Sequence, residues 1–279
     1  MLKRVVFILK KENVMEEIAP LLKELADYKT DAYVESIYDR NMEGEISENT
    51  LYITDSAVCQ KQLQSRNFPV IIYLHEGNRE EDFSRAEYAI EKIEEIEYES
   101  LELAYLRLTG LPWTILTTDR CIVRETTVED ADSFYEIYEE PSITYYMEDL
   151  YADKKEEIAY IQDYIKNIYG FYGYGMWTVL EKNSGQVIGR AGLSLREGWD
   201  IPELGFVIAV PYQRQGYAYE VCQAILAFGR EELGFNRVQA FVMKENEKSR
   251  ALCEKLGFEY AEKVEIEGVE YERMVWESK

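Results

Sequence analysis

An apolar strand that runs straight into a tight turn and then into a long amphipathic helix restricts this chain more than any other feature. Residues 203–210 read ELGFVIAV, 211–218 read PYQRQGYA, and 219–233 read YEVCQAILAFGREEL. A strand is expected over Glu203–Val210 and a helix over Gly216–Leu233. The helix places Ala218, Val221, Cys222, Ile225 and Gly229 on one apolar stripe. Gly216 lets the backbone approach a ligand closely, and Ala218 keeps the first turn slim. The first N–H groups of a helix have no partner within it, and the positive end of the helix dipole lies behind them. Such a turn suits a pyrophosphate, and Arg214 adds a cationic group for phosphate. Many helix starts match Q-x-x-G-x-A alone; its place between an apolar strand and an amphipathic helix makes it informative.

The remaining chain divides into two differently patterned parts. RVVFIL at 4–9 is a continuous apolar run suited to a buried strand, followed by Ile18, Leu21, Leu22 and Leu25 at helical spacing. AYVESIY at 32–38 alternates, NTLYITD at 49–55 is a short strand before a helix capped by Ser56, and PVIIYL at 69–74 is another buried strand. Glu87–Ile90 is short and apolar, and Glu99–Leu108 reads as a helix ending at Gly110. Strands alternating with helices imply a Rossmann-like parallel α/β domain over about 1–112, with a linker at 113–120. From 121 to 279 the expected order is β-α-α-β-β-β-α-β-α-β-β. Strands Met176–Glu181 and Val187–Leu195 join at Asn183–Ser184–Gly185, and a terminal hairpin, 258–266 with 269–276, turns at Gly268. The fold class is α/β: a parallel domain followed by an α+β domain with a mixed, mostly antiparallel sheet.

Net charge is −23, and both parts share it: residues 1–120 carry 14 Lys+Arg against 24 Asp+Glu, the rest 17 against 30. Such a surface repels nucleic acid, attracts a cationic amine and keeps the chain soluble. Cys59, Cys121, Cys222 and Cys253 show neither metal spacing nor a disulfide framework, as expected of free thiols in a reducing cytoplasm. The one histidine, His75, rules out a His-pair metal site and argues against a Ser-His or Cys-His hydrolase; it reads as a loop residue. No metal is expected. The apolar run near the start is too short for a signal core or membrane span, so a cytoplasmic protein without a membrane partner is expected.

Glu203–Phe258 resembles the cofactor-binding core of the GNAT (GCN5-related N-acetyltransferase) superfamily, most closely the branch that includes acetyltransferases of ribosomal-protein N-termini. The resemblance rests on ELGFVIAV, the Q-x-x-G-x-A turn, Glu220 in the first helical turn, Asn246-x-x-Ser249 and Leu256-Gly257-Phe258. CIVRETTVEDAD at 121–132 and VIGRAGLS at 187–194 resemble that branch's opening strand and helix and its third strand. The resemblance implies transfer of an acetyl group from acetyl-CoA to a primary amine of a small molecule, peptide or protein N-terminus, by direct attack in a ternary complex. It implies cofactor contacts from Phe206, Val207, Ile208, Ala209, Val210, Gln213, Arg214, Gln215, Gly216, Tyr217, Ala218, Asn246 and Ser249.

Amine attack on a thioester requires a base to accept a proton. Glu203 stands where the family often carries a carboxylate near the amine; the plain alternative is a solvated strand end. Asn246 reads either as a cofactor contact or as an N-cap. Ser249 reads as a contact to the pantetheine arm, a proton donor or a stabiliser of its helix turn. Many relatives carry a tyrosine acid four residues before the Gly of L-G-F, where this chain has Cys253: a weak acid or, more simply, a small buried hydrophobe on a stripe with Leu252 and Leu256.

Tyr145, Tyr146, Tyr169, Phe171, Tyr172, Tyr174 and Trp177, with Glu148 and Asp149, fall in segments that the resemblance places around the acceptor. They suit a cationic amine or are ordinary core aromatics. The oligomeric state stays open, a dimer included.

In the first part, TLYITDSAVCQKQLQSRNFPVIIYLHEGN followed by RAEYAIEKIEEI faintly resembles the late part of a haloacid-dehalogenase-like domain. That family's aspartate pair should end the first strand, which here reads VVFILKKEN, so the domain reads as catalytically degenerate. Thr54, Asp55 and Ser56 at a strand end read either as ligand contacts or as a capped helix start. The alternative to an enzyme is a non-catalytic two-domain sensor that binds acetyl-CoA.

Overall fold

The computed structural model describes residues 2–11, 14–36, 49–147 and 149–278. The chain forms two compact units, Met1–Leu111 and Pro112–Lys279. Of the residues singled out above, Ile37, Tyr38 and Glu148 lie outside the described ones.

In the first unit the apolar runs form strands β1 (Arg4–Leu9), β2 (Asp31–Ser36), β3 (Thr50–Thr54), β4 (Val70–Tyr73) and β5 (Ala89–Ile90), with helices α1 (Met15–Asp27), α2 (Ala57–Gln64) and α3 (Tyr98–Thr109). Among the described residues all paired strands of this unit are parallel, in the order β2-β1-β3-β4-β5, a doubly wound arrangement. Alternation along β1 explains both faces. Val5, Phe7 and Leu9 pack with the buried sides of α1 and α3, while Val6 and Ile8 pack with Cys59 and Leu63 of α2. At the carboxyl ends of β1 and β3, Asp55 is fully buried and accepts from the backbone N–H groups of Lys10 and Lys11, each at 2.8 Å. The Thr54 hydroxyl donates to the Ile8 carbonyl, and Ser56 caps α2 by accepting from the Cys59 N–H. All three residues are thus engaged in internal bonds. His75 caps the turn Glu76–Asn78, its Nε2 3.3 Å from Asp55 Oδ2.

The second unit adds strands β6 (Thr114–Thr117), β7 (Cys121–Arg124), β8 (Met176–Glu181), β9 (Val187–Ser194), β10 (Glu203–Ile208), β11 (Arg237–Met243), β12 (Glu259–Ile266) and β13 (Val269–Glu277). Its helices are α4 (Ala131–Tyr138), α5 (Pro141–Thr144), α6 (Lys154–Tyr164), α7 (Gly170–Tyr172), α8 (Tyr217–Glu231) and α9 (Glu247–Leu256). The sheet order is β12-β13-β11-β10-β9-β8-β7-β6, antiparallel among the described residues except for the parallel β10–β11 pair. Thr114–Thr117, within the expected linker, is one of the sheet's two edge strands.

Helix α8 buries Val221, Cys222, Ile225, Leu226 and Gly229 on the core that contains Trp177, Leu193 and Val238. Ala218, expected on that stripe, is only partly buried. The opposite face of the sheet is covered by α4 and α6 through Ala131, Phe134 and Ile161. Among the described residues no helix is long and apolar enough to cross a membrane.

Candidate active site

Strands β10 and β11 touch at one register pair, Glu203 with Gln239. β10 is held by β9 over six pairs in all and β11 by β13 over seven, and beyond the Glu203–Gln239 pair the two strands part. Gln239, fully buried, pins the apex. Its backbone N–H donates to the Pro202 carbonyl at 2.8 Å, its side-chain amide donates to the Ile201 carbonyl at 2.9 Å, and its Oε1 accepts from Arg273 Nε at 2.8 Å.

The ladder phase decides which backbone groups face the gap. Ala209 N–H donates to the Ile188 carbonyl at 2.8 Å, so bonding to β9 falls on Ala209, Val207 and Gly205. The N–H groups of Phe206 and Ile208 therefore point away from β9, to the side that β11 has left. The Ile208 carbonyl, on that side, accepts from Gln213 Nε2 at 2.9 Å, which ties the turn to the strand.

The chain then passes a short 3-10 turn, Val210–Tyr212, and enters α8 through two left-handed residues, Arg214 at φ 61° and Gly216 at φ 86°. Such a conformation is costly for a non-glycine residue, so Arg214 is held there by its surroundings. Gly216 caps α8 without a side-chain hydrogen bond, and the first intrahelical bond runs from Glu220 N–H to the Gly216 carbonyl. The N–H groups of the first turn are thus available to an anion.

Glu220 and Arg120 brace this turn from behind. Arg120 donates to Glu220 from its backbone N–H at 2.9 Å and from Nε at 2.7 Å, and its Nη1 donates to the Gln215 carbonyl at 2.9 Å. The guanidinium lies 4.3 Å from the Tyr217 ring centre. Burial works against ionisation of Glu220, but hydrogen bonds from Thr118 and Arg120 outweigh it and its pKa is lowered.

The gap opens into a cavity of about 840 Å³. Glu203, Phe206, Val207, Ile208, Gln213, Arg214, Gly216, Tyr217, Ala218, Asn246 and Ser249 all line it. Ala209, Val210 and Gln215 do not: Ala209 N–H is spent on β9, Val210 is exposed in the 3-10 turn, and the Gln215 side chain donates to the Pro211 carbonyl. Asn246 both caps α9, accepting from Ser249 N–H at 3.2 Å, and faces the cavity. Glu203 is paired with Arg196 at 2.7 Å. Cys253 does not line the cavity; it is fully buried, and burial pushes its thiol up to about 12.

The other half of the cavity differs from the aromatic wall that the sequence suggests. Of those seven aromatics only Tyr146 lines it, donating to the Glu245 carbonyl at 3.2 Å. Tyr169, Tyr174 and Trp177 are buried in the core, whereas Tyr145, Phe171 and Tyr172 are exposed. The wall is built instead from Tyr138 of α4, Tyr160 and Tyr164 of α6, Tyr151 and Tyr271. Asp149 also lines this half, and so do two buried charged residues, Glu157 and Arg190. Glu157, Tyr160 and Tyr164 recur at three- and four-residue steps, a helical signal open to sequence reading.

The family description "Acetyltransferase (GNAT) domain" matches residues 120–259, half of the chain. The chain is 29% identical over 147 residues to an uncharacterised N-acetyltransferase, YoaA, of Bacillus subtilis, a match covering 52% of this chain and 82% of that protein. The fold is similar to the solved structure of an acetyltransferase from Agrobacterium tumefaciens, at 20% identity and a TM-score of 0.51, over 58% of this chain and 94% of that one. It is also similar to RimL, a ribosomal L7/L12 alpha-N-protein acetyltransferase solved with coenzyme A, at 13% identity and a TM-score of 0.51, over 59% and 98%.

Proposed function

The chain belongs to the GNAT acetyltransferase family, and from that premise we propose that it transfers an acetyl group from acetyl-CoA to a primary amine by direct attack in a ternary complex. The observation that carries the reading is the continuity of one cavity. Free N–H groups of Phe206 and Ile208 in the splayed strand lead to the free first turn of α8, with Arg214 beside it. A thioester on an extended arm that ends in a pyrophosphate matches that sequence of donors.

In this reading the neutral amine attacks the thioester carbon. The C–N bond forms, and negative charge collects on the former carbonyl oxygen. N–H donors of β10 stabilise that oxygen. The C–S bond then breaks and CoA leaves as a thiolate. Glu203 lies at the apex of the splay, oriented by Arg196, and is assigned as the group that takes the amine proton, directly or through water. Ser249 or water returns a proton to the thiolate. Cys253 is not assigned that step, because its thiol lies outside the cavity. The peptide or small-molecule nature of the acceptor and a cytoplasmic setting belong to the same proposal.

Calorimetry with acetyl-CoA, followed by thiol release with a panel of amines and peptides, tests it. Glu203→Gln is expected to lower kcat by about 10²–10⁴ with acetyl-CoA affinity retained. No binding at millimolar acetyl-CoA would end the reading. Binding without turnover of any acceptor would favour a two-domain sensor, a reading to which the occupied Glu203 carboxylate lends its one support.

A further inference from the structure

The acceptor half of the cavity contains a cation that no carboxylate among the described residues neutralises. Arg190 extends from β9 into the cavity wall and is nine-tenths buried, yet no carboxylate or carbonyl pairs with it among the described residues. Its Nε makes no hydrogen bond. Its guanidinium stacks 4.6 Å from the centre of the Phe134 ring, which orients it without neutralising it. Tyr138 shares a side-chain hydrogen bond with it, but burial raises that hydroxyl's pKa and keeps it an uncharged phenol, so the charge stays unneutralised. The other cation lining this side, Arg196, is already taken by Glu203.

A second orphan lies on the same half. Glu157 of α6 is almost completely buried; its Oε2 accepts from Tyr151 N–H at 3.1 Å, and its Oε1 has no partner among the described residues. Glu157 and Arg190 both line the cavity and do not pair with each other. Burying a guanidinium with no counterion is strongly unfavourable, and a buried carboxylate oxygen without a donor adds to the cost. Both are relieved by a ligand carrying an anion and an N–H or O–H donor.

We propose that the acceptor is a primary amine that also bears a carboxylate, as a free amino acid does, and that Arg190 binds this carboxylate in a forked, charge-assisted pair. This rests on the acetyl-transfer reading and narrows it. Arg190 is a specificity-determining residue in it: it anchors the end of the acceptor remote from the thioester. The acidic surface attracts the ammonium group, and Arg190 then selects among amines for those with a carboxylate.

The test compares free amino acids with their carboxamides and with the corresponding decarboxylated amines, by thiol release, after acetyl-CoA affinity has been measured calorimetrically. The acids are expected to exceed their amides in kcat/KM by tenfold or more. In Arg190→Met, which keeps the packing of the stem, that ratio should fall to within about twofold of unity with acetyl-CoA affinity unchanged. Arg190→Lys should retain part of the preference, and serves also if the methionine variant melts early. Failure of acetyl-CoA to bind would sink the acetyl-transfer reading itself. Acetyl-CoA binding with amides used as well as acids would overturn only the present inference. So would a wild-type preference for acids that survives in Arg190→Met. If no member of the panel turns over, equilibrium binding of the acids to the CoA-loaded protein decides, and absence of binding overturns the inference.

Discussion

Replacing Gly216 separates the two contributions of the turn, its backbone shape and its charge. At φ 86° a side chain is strained wherever its atoms go, and the cost is about 1–2 kcal/mol. A Cβ would meet Arg120 Nη2 at 3.4 Å, an ordinary contact, so no further steric penalty is expected. For a domain of this size each kcal/mol moves Tm by about 2–4 °C, so Gly216→Ala should melt about 2–8 °C lower. Gly216→Glu carries the same strain and adds a carboxylate at the start of α8. That carboxylate satisfies the free N–H groups itself and repels a pyrophosphate. Two unit charges 4 Å apart interact by about 1 kcal/mol in water and about 4 kcal/mol near a protein surface. Acetyl-CoA should therefore bind the glutamate variant roughly fivefold to nearly a thousandfold more weakly than the alanine variant. Calorimetry at two salt concentrations, with melting curves on the same samples, reads both effects. The difference should shrink as salt rises. Equal affinities for the alanine and glutamate variants would refute an anion site at this helix start.

Cys253→Ala should lower stability by on the order of 1 kcal/mol through a small cavity, with kcat near wild type; a drop in kcat of about a hundredfold with Tm unchanged would make the thiol an acid after all. Glu220→Gln tests the brace through pH. The folded-state pKa of Glu220 lies below its ordinary 4.5, so its stabilisation is fully present above that value and is lost as pH falls through the lowered one. Wild type should melt above the variant at about pH 7, and the gap should close as pH falls below 4.5; a gap that stays constant as pH falls would show that the carboxylate charge contributes nothing.

Much of this protein was open to reading from the sequence because its determinants are local. Alternation places Val5, Phe7 and Leu9 on one face of β1 and Val6 and Ile8 on the other, and both sets are buried as that pattern requires. The turn from Gln213 to Ala218 follows its own strand and opens its own helix, so a few consecutive residues specify the backbone presented to a ligand. Thr114–Thr117 was less legible: an edge strand of four residues in a polar context takes its structure from pairing with β7.

The acceptor half was hidden for a different reason. Tyr138, Glu157, Tyr160, Tyr164, Arg190 and Tyr271 come from α4, α6, β9 and β13, and only packing of these elements over the sheet brings them to one cavity. Periodicity shows which side of an element is apolar, but not which elements will share that side. Tyr169, Tyr174 and Trp177 turn inward because sheet and helix close over them, whereas Phe171, two residues from Tyr169, is left 80% exposed. The sequence by itself determined most of the strands and helices and the turn Gln213–Ala218, whose hydrogen bonds are made between near neighbours. Tertiary structure alone decided the splay of β10 from β11 and the lack of a described carboxylate beside Arg190, because both depend on which groups are absent from a neighbourhood, and that is settled only when the whole fold has formed.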